Sequence, residues 1–130
     1  MSEKTTSAQQ VATLNPEAFE AFAAAPEKGP VVMLNLLKFK PEGGFEKYME
    51  YGAGATPLVA GVGGRILFTG LPDLLLIGDE DWDMCALVEY PSRGAFLEMV
   101  ASADYQAVAP LRQQAITRSV LYAMDPAPQA

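Results

Sequence analysis

Asn35, Arg65, Glu89 and Arg112 are the four polar residues whose types and surroundings invite chemistry. Asn35 interrupts the run Val31-Val32-Met33-Leu34-Asn35-Leu36-Leu37. A buried amide without partners costs about 1–3 kcal/mol, so it needs a task, and polarising a carbonyl is one such task. Arg65 follows Gly63-Gly64 in the same alternation as Leu67 and Thr69, where its planar fork can hold an anionic group. Glu89 sits between Val88 and Tyr90 and becomes a candidate base if desolvation lifts its pKa towards neutrality. Arg112 shares a helical stripe with Tyr105 and Val108, which sets a cation against buried surface. Tyr48 and Tyr105 are phenols positioned to donate a proton. Glu89, Tyr48 and Tyr105 are therefore the catalytic candidates, Asn35, Arg65 and Arg112 the substrate-binding ones, and no metal ligands are expected.

Two uses compete for this set. In one, Arg65 or Arg112 pairs with Glu89 or another acid, Asn35 bonds to neighbouring backbone, and the network fixes a strand register or a dimer. In the other, the same groups surround a small acidic or carbonyl ligand in a cavity between a sheet and its helices.

Composition removes most other machinery. The chain of 130 residues contains no histidine, which excludes Ser-His-Asp and Cys-His nucleophile systems, His-ligated zinc and haem with a proximal His. Nine Lys+Arg against 16 Asp+Glu give a formal charge of −7, which repels phosphate backbones and anionic lipid, so neither nucleic acid nor membrane is an expected partner. Cys85 stands alone, so no intramolecular disulfide and no CxxC pair can form. Gly61-Val62-Gly63-Gly64-Arg65-Ile66 has Ile66 where a third dinucleotide glycine belongs, and it follows a helix-like stretch; it reads as a helix stop. Asp79, Glu80, Asp81 and Asp83 lack the glycine that an EF-hand needs at position 84 and read as a solvated turn. Ser92 after Pro91 reads as a helix cap, because no histidine is present to activate it.

The elements that must position these residues follow from periodicity and punctuation. Asn15-Pro16-Glu17 starts a short helix with Leu14, Ala18, Phe19 and Phe22 on one face, ending near Ala25-Pro26. Residues 31–39, bounded by Pro30 and Pro41, form a central strand expected to be buried on both faces. Phe45, Tyr48, Met49, Gly52, Ala55, Thr56 and Val59 recur at helical spacing, so 45–61 is a helix with a kink expected at Pro57. Residues 65–69 and 74–77 read as one long bent strand or a bulged one. Trp82, Met84, Ala86, Val88 and Tyr90 alternate as the apolar face of a third strand, opposite a mixed face of Asp83, Cys85, Leu87 and Glu89. Two helical pieces follow, one carrying Phe96, Met99 and Val100 and one carrying Tyr105, Val108, Leu111, Arg112 and Ala115, before a closing strand over 118–124. The order βαββαβ is that of a ferredoxin-like α+β sandwich with helices on one face of a four-stranded antiparallel sheet. Its other face would stay bare, and strands 31–39 and 82–90 carry apolar residues in both registers, so a second copy is expected to cover it.

The strings Val-Val-Met-Leu-Asn-Leu-Leu-Lys-Phe (31–39), Gly-Gly-Arg-Ile-Leu-Phe-Thr-Gly (63–70), Trp-Asp-Met-Cys-Ala-Leu-Val-Glu-Tyr-Pro-Ser-Arg (82–93) and Tyr-Gln-Ala-Val-Ala-Pro-Leu-Arg (105–112) resemble, in this order, domain of unknown function 1330. The likeness covers about 31–124 and leaves the N-terminal helix outside. It implies a dimeric α+β barrel, in which two ferredoxin-like sheets close across a two-fold axis. That wider group includes cofactor-free monooxygenases, isomerases and haem enzymes, and the last typically use a histidine that this chain lacks. Asn35, Tyr48, Gly64, Arg65, Glu89, Pro91, Ser92, Tyr105 and Arg112 fall on recurring motif positions of the family.

The expectation is thus an N-terminal extension with a short helix over 1–30, a barrel-forming domain over 31–124 and a flexible tail over 125–130. Residues 1–10 lack the pattern of a secretory signal and no run is long enough to cross a bilayer, which points to the cytoplasm. The function expected is a homodimer that binds a small organic acid or carbonyl compound, either as a cofactor-independent isomerase, lyase or monooxygenase-like enzyme or as a non-catalytic binding or structural dimer.

Overall fold

Residues 31–39 are apolar, nine long and bounded by prolines, and they become β1 (Val31–Phe39), the strand on which the other elements are hung. The computed structural model describes residues 14–128; expectations about residues 1–13 and 129–130 fall outside this range. In chain order the elements are α1 (Pro16–Ala24), β1, α2 (Gly44–Gly61), β2 (Arg65–Gly70), β3 (Met84–Tyr90), α3 (Arg93–Ala101), α4 (Ala103–Ala115) and β4 (Ile116–Met124). The sheet order is β2-β3-β1-β4 with every neighbouring pair antiparallel, the ferredoxin-like order expected.

Helices cover one face of this sheet. Val31, Met33, Asn35 and Leu37 are buried beneath them, whereas Val32, Leu34 and Leu36 on the other face are half-buried. The expectation that β1 is buried on both faces is corrected for the single chain: strand alternation sends every second side chain to a face without helices.

The apolar interior is in two parts. Phe22, Val31, Met33, Val59, Tyr90, Phe96 and Met99 form one cluster, and Leu37, Tyr48, Met84, Ala115 and Ile116 form the other. Helix α1 joins the first through Phe19, whose ring tilts against Phe96 at a centroid distance of 6.4 Å, and Phe22, whose ring meets Phe96 edge-on at 5.7 Å. Along β1 the residue between these clusters is Asn35.

Local signals explain the boundaries. Pro16 occupies the first turn of α1, and the helix stops before Ala25-Pro26. Ser92 accepts a hydrogen bond from Ala95 N at 3.0 Å and starts α3. Ser102 does the same for Tyr105 N at 3.1 Å, which is why the second helical segment breaks into α3 and α4. At the end of α2, Gly63 adopts φ +85°, and a Cβ on Gly64 would lie 2.9 Å from both Glu89 O and Val59 Cγ1. Only glycines let the chain turn there and return this close to β3.

Two strand expectations need correction. Residues 74–77 are not strand: β3 begins at Met84, whose neighbour Cys85 already pairs with Gly70, so no partner backbone remains for them. Leu74, Leu76 and Ile77 are accordingly 75, 85 and 93 % exposed. Trp82 and Asp83 precede β3; the Trp82 ring instead carries the Arg118 guanidinium 4.2 Å from its centroid. Asp125, just past β4, pairs with Arg93 at 3.3 Å and Lys28 at 3.5 Å.

Candidate functional site

Three elements bring the cluster together between the two halves of the core. Asn35 points from the central strand towards the helices, opposite Ala86 on β3 and Leu121 on β4. Tyr48 and Tyr51 lie three residues apart on α2, and Tyr105 and Arg112 lie seven apart on α4, so each pair shares one helix face. These two helices pack on each other.

The contacts are specific. Arg112 donates from a terminal nitrogen to Asn35 Oδ1 at 3.1 Å, and the Tyr51 and Tyr105 hydroxyls are hydrogen-bonded at 2.7 Å. The Tyr48 and Tyr51 rings lie 5.3 Å apart, and the Tyr51 and Tyr105 rings meet edge-on at 6.1 Å. Among the described residues no fully buried side-chain nitrogen or oxygen lacks a partner. Asn35, Tyr48, Tyr51, Tyr105 and Arg112 all line one cavity.

Electrostatics keep the phenols neutral. Burial pushes the Tyr48 hydroxyl above its usual pKa, with the adjacent Arg112 guanidinium working the other way. Tyr51 is raised further, first by burial and then by Tyr105. Tyr90, deeper along β3, is raised by burial. At neutral pH these groups are hydrogen-bond donors, not phenolates.

The cluster faces a cavity of about 1830 Å³ between sheet and helices, with a lining that runs from Ile66 and Thr69 on β2 to Ser119 and Leu121 on β4. Its lining includes no aspartate or glutamate and two arginines, Arg93 and Arg112. Arg93 is compensated by Asp125. Arg112 has no carboxylate partner among the described residues, although the chain carries a net charge of −7.

Asn35, Tyr48, Tyr105 and Arg112 thus come together, but Arg65 and Glu89 do not join them. Arg65 Nε donates to Glu89 Oε1 at 2.8 Å on the opposite, bare face of the sheet. The expected alternation of Arg65, Leu67 and Thr69 fails because β2 has a bulge: Ile66 pairs with Val88 and Phe68 with Leu87, leaving Leu67 as an extra residue. That residue reverses the parity of the strand, so Thr69, opposite Ala86, faces the cavity while Arg65, opposite Glu89, does not. Tyr51 was absent from the expected set. A phenol one turn from Tyr48 is the signal that identifies it, but tyrosine on a helix reads first as core.

The acidic turn also has a structural employment. Asp81 binds Lys38 at 2.6 Å and Arg118 at 3.4 Å, and Asp83 accepts from Phe39 N at 2.9 Å. Among the described residues no group of three or more His, Cys, Asp or Glu is arranged to hold a metal ion, and no helix is long and apolar enough to cross a membrane.

A family model described as Domain of unknown function (DUF1330) matches residues 44–125. It begins later than the expected 31, so it contains Tyr48, Tyr51, Tyr105 and Arg112 but not Asn35. No curated protein matches the chain. The chain is 34% identical to a protein of unknown function from Rhodopseudomonas palustris, with a TM-score of 0.83 over 90% of this chain and 97% of that one. A dimeric ferredoxin-like protein of unknown function from Thermobifida fusca gives a TM-score of 0.53 at 9% identity, covering 74% of this chain and 90% of that one. A dabb family protein with a ferredoxin-like fold from Mesorhizobium loti gives 0.56 at 12%, covering 78% and 100%. At these last two identities the likeness is one of fold.

Proposed function

Because this chain belongs to the DUF1330 family, whose description assigns no activity, we propose a function from the cavity itself: each protomer of a homodimer binds a small organic acid. The observation that carries this is Arg112, a half-buried cation in a cavity with no acidic lining residue. Holding an arginine against low-dielectric surface without a counter-charge is costly, and a ligand carboxylate removes that cost with paired, charge-assisted hydrogen bonds. Asn35 fixes the guanidinium, and its amide nitrogen is a second donor for a ligand oxygen. Neutral Tyr48 and the Tyr51–Tyr105 pair supply further donors to any oxygen on which negative charge develops.

One observation favours a non-catalytic version of this reading: among the described residues the cavity is rich in donors but has no carboxylate to serve as base. Glu89, the expected base, is engaged by Arg65 on the other face. Its role, with Arg65, is on this proposal at the dimer interface.

The bare face supports the dimer. Leu34, Leu36, Leu87 and Tyr122 form an apolar centre by strand register, flanked at one end by Arg65–Glu89 and at the other by Lys38 and Arg118 with Asp81. An apolar centre with a charged rim is how protein interfaces are built, and the Thermobifida fusca neighbour is a dimeric ferredoxin-like protein. A cytoplasmic location fits Cys85, which is a free thiol.

Calorimetric titration with a panel of small carboxylates tests the reading. Binding should weaken by about 10- to 100-fold in Arg112→Gln and much less in Arg112→Lys, as expected for loss of a hydrogen bond to a charged group. Equal affinities in all three proteins would refute it. Incubating a bound acid in deuterated water then separates the versions: exchange of its carbon-bound protons reveals catalysis, and an unchanged ligand supports binding alone.

A further inference from the structure

The charge and shape of the cavity say more about the ligand, resting on the reading that Arg112 holds it. Once Arg93 is matched by Asp125, one cation is left to neutralise one negative group. A cationic ligand would meet no acid in the lining, and a second carboxylate would be desolvated without a partner. The sheet around Asn35 is apolar: Met33, Met84 and Val88 are its neighbours by register, and Ala86 directly opposite is small enough to leave space above β3.

A separate observation locates that space from the helix side. Gly52 lies one turn after Tyr48 on α2 and lines the cavity, yet a Cβ built on it would meet nothing within 4 Å. By contrast, a Cβ at Gly54 on the same helix would press 2.7 Å from Val108. Gly54 is a packing glycine, whereas Gly52 fronts a void. Thr69 and Ile66 on β2 line the cavity as well, so the void continues to the β2 edge.

We propose that the ligand is a monocarboxylate with an uncharged, apolar body: its carboxylate sits on Arg112 and Asn35, and its body fills the space between Gly52 and Ala86. Calorimetry with matched probes tests this. Benzoate and octanoate represent the class; acetate lacks the body, phthalate adds a second charge, benzamide removes the charge and benzylamine reverses it.

Benzoate or octanoate should bind at least tenfold more tightly than each of the other four. Gly52→Leu should cost either of them at least tenfold while leaving the far-ultraviolet spectrum unchanged, and Gly52→Ala, which suits a helix, should cost less. Phthalate, benzamide, benzylamine or acetate binding as well as the tighter of the two would overturn the ligand class, as would affinity indifferent to Gly52→Leu or heat from none of the six. If benzoate or octanoate binds but Arg112→Gln has no effect, the underlying reading fails instead.

Discussion

At the residue scale, the phenols are the most exposed to test. Tyr48, Tyr51 and Tyr90 all have pKa values raised mainly by burial. The unfolded chain releases these protons near pH 10, at about the ordinary tyrosine value, and the folded chain releases them later. Folding therefore binds more protons above pH 10, so the stability tied to these groups is complete below that pH and falls as it is exceeded. In an alkaline titration followed by tyrosinate absorbance and circular dichroism, these three should ionise together with loss of the fold, not ahead of it. Tyr51→Phe removes the partner of the Tyr105 hydroxyl and should lower stability by about 0.5–1.5 kcal/mol in urea unfolding. Asn35 and the Tyr105–Arg112 stripe were legible in the sequence, because a polar residue in an apolar run and a cation on an apolar stripe both break a pattern. Tyr51 breaks none, so it was missed.

At the scale of elements, nearly every helix and strand was legible from periodicity, proline and caps, and the exceptions share one cause. The β2 bulge and the unpaired 74–77 segment depend on what lies across the ladder, which local sequence does not encode. Leu74 to Ile77 has the composition of a strand but no partner within the chain; Arg65 has the spacing of a cavity residue, yet Leu67 reverses its face. The two glycines that matter most make opposite predictions. Gly64→Ala forces a methyl against the Glu89 carbonyl and Val59, and should destabilise by about 1–3 kcal/mol. Gly52→Ala meets no obstacle and replaces a poor helix former, so it should stabilise by about 0.5–1 kcal/mol. Chemical denaturation of both variants measures the contrast.

For the whole molecule, the bare sheet face is where the proposed homodimer is tested. Leu34 stands at its centre between Leu87 and Tyr122, half-buried in one chain. Leu34→Asp places a charge where a second copy should rest while leaving both core clusters untouched. Light scattering should give twice the 13.9 kDa of one chain for the parent and a single chain for the variant. A parent mass of one chain would remove the dimer, but not the cavity, which lies on the other face.

The division of the interior in two has a mechanical meaning. The Val31–Met33 side and the Leu37 side pack as separate clusters, joined beside the cavity by the Asn35–Arg112 and Tyr51–Tyr105 hydrogen bonds and the edge-on Tyr51–Tyr105 rings. Opening along such a seam would part the two clusters without unpacking either one. An occupant would knit the halves together, so filling the site should slow amide exchange on both sides of Asn35 at once.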